Sequence, residues 1–101
     1  MIIYNVTIKV QHSISEQWLQ WLMQIHIVEI MNTKCFEKYT LLKLLEVDES
    51  EGSTYAIQYF AKDMATYNLY ISKYAQKLRE ASFAKWGNNF IAFRTVMQII
   101  S

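Results

Sequence analysis

The period of the apolar residues switches along this chain in one definite order, and that order limits the fold more than any other feature. In Ile2 to Val10 the even positions Ile2, Tyr4, Val6, Ile8 and Val10 are apolar, and Asn5, Thr7 and Lys9 alternate with them. A period of two is the mark of a strand with one face in a core. The pattern "SISE" follows, in which Ser13 can cap the backbone N–H of Glu16 while Glu16 reaches back, a capping box that predicts a helix from about Ile14 to Thr33. Phe36 to Asp48 is rich in Leu, Tyr and Val, "DESEGS" separates it from the alternating "TYAIQYFA", and the pair reads as a hairpin turning around Gly52. Asp63 is a plausible N-cap for a second helix, whose stripe Met64, Tyr67, Ile71, Tyr74, Leu78 and Ala81 recurs at spacings of three and four, with Gly87 as a left-handed stop. "FIAFRTVMQII" is the fourth strand, with Ile91, Phe93, Met97 and Ile99 on one side and Arg94 and Gln98 on the other.

Strand, helix, strand, strand, helix, strand with right-handed crossovers gives an α+β fold. Its sheet has four antiparallel strands in spatial order 4-1-3-2, with both helices on one face. At 101 residues, 52% apolar and 19% charged, the chain fits a single domain over 1–101 that buries roughly two thirds of its unfolded surface. The other sheet face is expected to carry Ile3, Asn5, Thr7, Lys9, Ala56, Gln58, Phe60, Phe90, Ala92, Arg94, Val96 and Gln98. A face that mixes large apolar groups with polar ones is rarely left to solvent. Two such sheets packed face to face would form an isologous homodimer of the dimeric α/β-barrel type.

Several function classes are not expected. Ten Lys and Arg against nine Asp and Glu, spread along the chain for a net charge of +1, make no basic stripe, so no nucleic-acid partner is predicted. Cys35 is the only cysteine, which rules out an intrachain disulfide or a multi-cysteine metal site and reads as a small buried residue. "MIIYNVTIKV" lacks a basic segment followed by an unbroken apolar run and a cleavage site, so the expectation is a cytoplasmic protein with no membrane partner. Two isolated glycines cannot build a phosphate-binding loop. The pair Trp18 and Trp21 and the stripe Tyr67, Tyr70, Tyr74 read as packing groups.

Two places could hold chemistry. His26 falls between Leu19, Leu22 and Ile30 on a helical wheel, so it points at or near the core, and Glu29 is three residues on, within reach of the imidazole. The plainer reading is a packed histidine satisfied by Glu29, a carbonyl or a tyrosine hydroxyl; the functional one makes His26, tuned by Glu29, a general base or ligand contact at a pocket mouth. No metal is predicted, because His12 and His26 lack a helical ligand spacing. The second place is the sheet face, where Asn5, Gln58 and Arg94 are expected to converge. There they would either hold a carboxylate or form the polar centre of the dimer interface.

The run "YNVTIKV", the "WLQWLMQIHI" helix with the following "MNTKCF", the strand "STYAIQYF" and the closing "FIAFRT" resemble a family of short bacterial proteins known as a domain of unknown function. The resemblance covers nearly the whole chain. It implies a ferredoxin-like unit related to the dimeric α/β barrels, and it implies no activity. The family's pattern has a proline after the His-Ile pair and a histidine near the end of the second helix. This chain has Val28 and Ser82 there, which puts a role for a histidine pair in doubt. Asn5 is similar to a first-strand asparagine of the haem-degrading members of that fold, but 64–86 contains no histidine to ligate iron, so no cofactor is predicted. The expected function is that of a small homodimeric domain, non-catalytic or regulatory. The alternative is a small-molecule binder or cofactor-free enzyme of the monooxygenase-like superfamily.

Overall fold

The computed structural model describes residues 1–101. Its elements are β1 (Ile2–Gln11), α1 (15–31), β2 (Lys38–Lys43), β3 (Gly52–Ala61), α2 (64–86) and β4 (Phe90–Gln98). The strands pair antiparallel in the order β2-β3-β1-β4, which is the ferredoxin-like order expected from the periodicities. Ile2, Tyr4, Val6, Ile8 and Val10 of β1 are buried beneath the helices, together with Trp18, Leu22, Ile27 and Ile30 of α1, Tyr55, Ile57 and Tyr59 of β3, and Tyr70 and Ala75 of α2.

Each helix is interrupted once. α1 runs as a regular helix over Ser15–Trp21, widens to a π turn over Leu22–His26 and resumes over Ile27–Met31. α2 does the same over Met64–Tyr70, Ile71–Ala75 and Gln76–Trp86. Such single wide turns inside α-helices recur at functional sites.

Local chemistry explains where the elements begin and end. The capping box at Ser13 does not form: a 3₁₀ turn over His12–Ile14 comes first, with no side-chain cap. His12 is tied to the β2–β3 loop, its Nε2 2.8 Å from the Glu49 carbonyl oxygen and its backbone N–H donating to that of Glu51. That anchor starts the helical winding early. At α2 the expected cap is present, Asp63 Oδ1 accepting from the backbone N–H and the hydroxyl of Thr66 at 2.8 and 2.7 Å, and Gly87 ends the helix at φ 58°. β2 is shorter than the apolar run suggested. Phe36 leaves the strand to pack its ring against Tyr59 and Tyr70 in the core, and Glu46 turns left-handed at φ 57°. Gly52 opens β3 instead of forming the turn, because a Cβ there would collide with the Val10 carbonyl oxygen.

One expectation about the sheet is reversed. On β4, Phe90, Ala92, Arg94 and Val96 stand opposite Val10, Ile8, Val6 and Tyr4 and so share their helix-covered face, while Ile91, Phe93, Thr95 and Met97 stand opposite Lys9, Thr7, Asn5 and Ile3 on the open one. Placing the apolar odd positions in the core failed because the open face is the greasier of the two along this strand. Phe93 is 65% exposed and Ile91 58%. No helix is long and apolar enough to cross a membrane.

Candidate functional site

Between the two helices and the β1–β4 half of the sheet lies a narrow crevice. Its cavity measures about 50 Å³, and most of its lining is apolar. Each wall brings at least one polar group. β1 contributes Tyr4, α1 His26, α2 Arg79 and Ser82, and β4 Arg94. The Tyr4 side chain is held by the core, ringed by Phe36, Tyr59, Tyr67 and Tyr70, and this packing fixes where its hydroxyl points.

That hydroxyl is the hub. Arg79 Nη2 donates to Tyr4 Oη at 2.9 Å and Arg94 Nε at 3.1 Å. Both lone pairs of the phenol oxygen are thereby engaged, and its own proton finds no acceptor in the protein. Neither guanidinium has a carboxylate within ion-pair distance, the one salt bridge being Lys43 with Glu49, and no Asp or Glu lines the crevice. The site is rich in donors and poor in acceptors.

His26 lies half-buried beside this cluster, its ring stacked on Trp21 at 4.7 Å. Burial, and after it the charge of Arg94, push its pKa down to about 4. Its imidazole is therefore neutral at pH 7 and can accept a proton. Burial also holds the Tyr70 phenol above the usual tyrosine range, so it stays protonated. No three His, Cys, Asp or Glu side chains group as a metal site.

The residues singled out from the sequence separate into three places. His26 lines the crevice; Glu29 does not. It lies on an outer groove between the helices with Lys73, Tyr74 and Lys77, and no hydrogen bond or ion pair joins it to His26. Asn5 and Gln58 are opposite one another on the open face, where Asn5 Nδ2 donates to Thr7 Oγ1 at 3.0 Å. Arg94 is on the other side of the sheet, so the expected convergence of Asn5, Gln58 and Arg94 does not occur. Its cause is the shifted phase of β4. Sequence reasoning missed Tyr4, Arg79 and Ser82 as site residues. A signal for the arginines was present: eight of the ten cationic side chains are Lys, and Arg79 and Arg94 are the only arginines. Guanidinium is the group suited to forked recognition of planar anions.

No curated protein matches the chain. Among solved structures it is similar to a dimeric ferredoxin-like protein from an uncultured marine organism, at 12% identity and a TM-score of 0.76, covering 99% of this chain and 95% of that one. A second dimeric ferredoxin-like protein from an uncultured marine organism matches at 10% identity and a TM-score of 0.70, over 100% and 96%. SnoaB, a cofactor-independent oxygenase from Streptomyces nogalater, matches at 12% identity and a TM-score of 0.66, over 99% and 94%. At these identities the likeness is one of fold. A family model matches residues 1–100, and with nearly every residue inside that match the chain belongs to the family described as Domain of unknown function (DUF4286).

Proposed function

We propose that the protein works as a cytoplasmic, single-domain homodimer that binds a small molecule in the crevice of each protomer, as a binding or regulatory protein. The observation that carries this reading is the convergence of Tyr4, Arg79 and Arg94 on an otherwise apolar opening, with unspent donors pointing into it. Apolar walls with a few convergent polar groups are the usual lining of ligand sites, and a cavity of about 50 Å³ limits this one to a small ligand. Binding is favoured over turnover because His26 makes no hydrogen bond to a nucleophile, and a base without a partner does not make a catalytic pair. A ligand with an acidic hydroxyl placed against the neutral imidazole would supply that partner, which keeps a cofactor-free enzyme as the second reading.

The dimer rests on the open face. The register divides it into rows across the strands: Lys38, Phe60, Ile3 and Met97; then Thr40, Gln58, Asn5 and Thr95; then Leu42, Ala56, Thr7 and Phe93. A polar belt thus runs between two rows with large apolar groups. Four strands of this length cover roughly 500–600 Å², so two copies would bury on the order of 1,000–1,200 Å², the lower end for a stable interface. The two marine structures described as dimeric share this fold. Asn5, with 9% exposure, and Gln58 would meet their counterparts across the twofold.

Two measurements test the reading. Light scattering after size exclusion at micromolar concentration is expected to give twice the mass of the chain, and a single-chain mass would remove the dimer. Ala92→Phe, which fills the crevice from β4, is expected to abolish ligand-induced thermal stabilisation seen in a small-molecule screen and to leave the mass unchanged.

A further inference from the structure

We infer that the ligand is a small carboxylate with a short apolar body, its carboxylate held by Arg79, Arg94 and the Tyr4 hydroxyl. The inference rests on the crevice being a binding site and goes further by naming what it takes.

The positive charge of the two arginines is unmatched by the protein. Two guanidinium groups that donate to the same phenol oxygen stand within two hydrogen-bond lengths of each other and repel. Proteins usually relieve such a pair with a carboxylate. Here none lines the crevice; the neighbour Glu80 accepts instead from Gln76 Nε2 at 3.1 Å. Tyr4 Oη can satisfy one N–H of each arginine, and the other N–H groups have no protein acceptor. A carboxylate between them would accept from both forks and from the Tyr4 O–H, the geometry in which guanidinium binds best. It would also cancel the repulsion.

The rest of the lining selects the body. Beyond the polar mouth the walls are Leu22, Trp21, Leu78, Phe90 and Ile8, which favour hydrocarbon over water. A free inorganic anion would gain nothing from them. A cationic ligand would face two arginines, and a neutral one would leave their donors unmet, which is costly where water is displaced. A cavity of about 50 Å³ admits a short aliphatic chain and is too small for an aromatic ring.

Isothermal titration at pH 7.5 with propanoate, butanoate and pentanoate, each beside its primary amide and with sodium sulfate as the bare anion, reads this out. At least one acid is expected to bind with a submillimolar Kd and at least tenfold more tightly than its amide. Arg79→Gln and Arg94→Gln, both at exposed positions, should each reduce that acid to the affinity of the amide. An amide that binds as well as its acid, or arginine variants that keep the preference, would overturn the inference while crevice binding stands. Sulfate binding as tightly as the acids would overturn the apolar body. If no acid or amide binds at millimolar concentration, the crevice reading falls as well. Acid binding that survives unchanged in Ala92→Phe would place the anion outside the crevice and overturn the inference.

Discussion

On the helix-covered face the register sets Tyr39, Tyr59, Tyr4 and Val96 in one row and Leu41, Ile57, Val6 and Arg94 in the next. One residue out of phase, the open face carries a belt of Thr40, Gln58, Asn5 and Thr95 between rows that end in Met97 and Phe93. The two faces therefore invert the usual arrangement along β4. Beneath the helices this strand turns an arginine inward, and toward the outside it turns Phe93 and Ile91. A cationic side chain is tolerated on the covered face because the helices do not close over β4. The large apolar groups on the open face need another surface, since solvent exposure of a contiguous patch is unfavourable. In the proposed reading one strand serves two different demands, ligand on one side and a second protomer on the other.

Three perturbations separate the faces. The largest effect is expected from Phe93→Glu, which sets an unpaired carboxylate against the partner's apolar rows. The dimer dissociation constant should rise at least a hundredfold, as several kcal/mol of desolvation and lost burial imply, and sedimentation velocity at micromolar concentration should show a monomer. Ligand binding in the crevice should persist. A dimer that survives Phe93→Glu would place the interface elsewhere.

Next in size is the pH response of the covered face. His26 has its pKa depressed from 6.5 to about 4 in the folded chain, so above pH 6.5 it is neutral in both folded and unfolded states. Between pH 6.5 and about 4 only the unfolded chain takes up the proton. Folding stability therefore falls as the pH is lowered through that window, by up to about 3 kcal/mol for a depression of this size. His26→Phe, which keeps a ring against Trp21, should remove that part of the decline. Denaturant melts at pH 7 and pH 4.5 compare the two proteins, and equal losses in both would show that His26 is not the group responsible.

The smallest effect is expected from Tyr4→Phe. Tyr4 is 3% exposed, but both arginines its hydroxyl serves are solvent-accessible and can turn to water. A loss of about 1 kcal/mol is expected from the hydrogen bonds, measured by urea unfolding, with no change in dimer mass. A loss several times larger would mean that the arginine pair is a structural clamp.

The fold was readable because its signals are local. The alternation in β1, the stripe of α2 with Asp63 before it and Gly87 after it, and the order of the six elements leave few topologies. The site was less legible for a reason that β4 makes plain. Alternation in "FIAFRTVMQII" reveals two sides but not which one meets the helices, and the usual rule sends the more apolar side inward. That rule presumes a solvated outer face, and here the outer face is itself apolar. With the phase reversed, Arg94 was assigned to Asn5 and Gln58 instead of to Tyr4. Tyr4 could not be recognised as polar machinery because its ring is core and only its oxygen reaches the crevice. His26 was placed correctly by the wheel, whereas Glu29, three residues on, is carried to the outer groove.

The two helices share a peculiarity that bears on how the molecule is built. In each, seven residues of regular winding precede a five-residue wide turn, Leu22–His26 in one and Ile71–Ala75 in the other. The halves of the chain thus repeat a piece of geometry that their sequences do not repeat. Deleting a single amino acid from Leu22–His26 would restore ordinary pitch and leave the later side chains of that helix on their present faces, because five residues of wide turn sweep about the angle of four regular ones; the same deletion in Ser15–Trp21 would swing them about 100° around the axis. The broadened coil lodges one extra residue while the hydrocarbon seam on either side of it keeps its alignment.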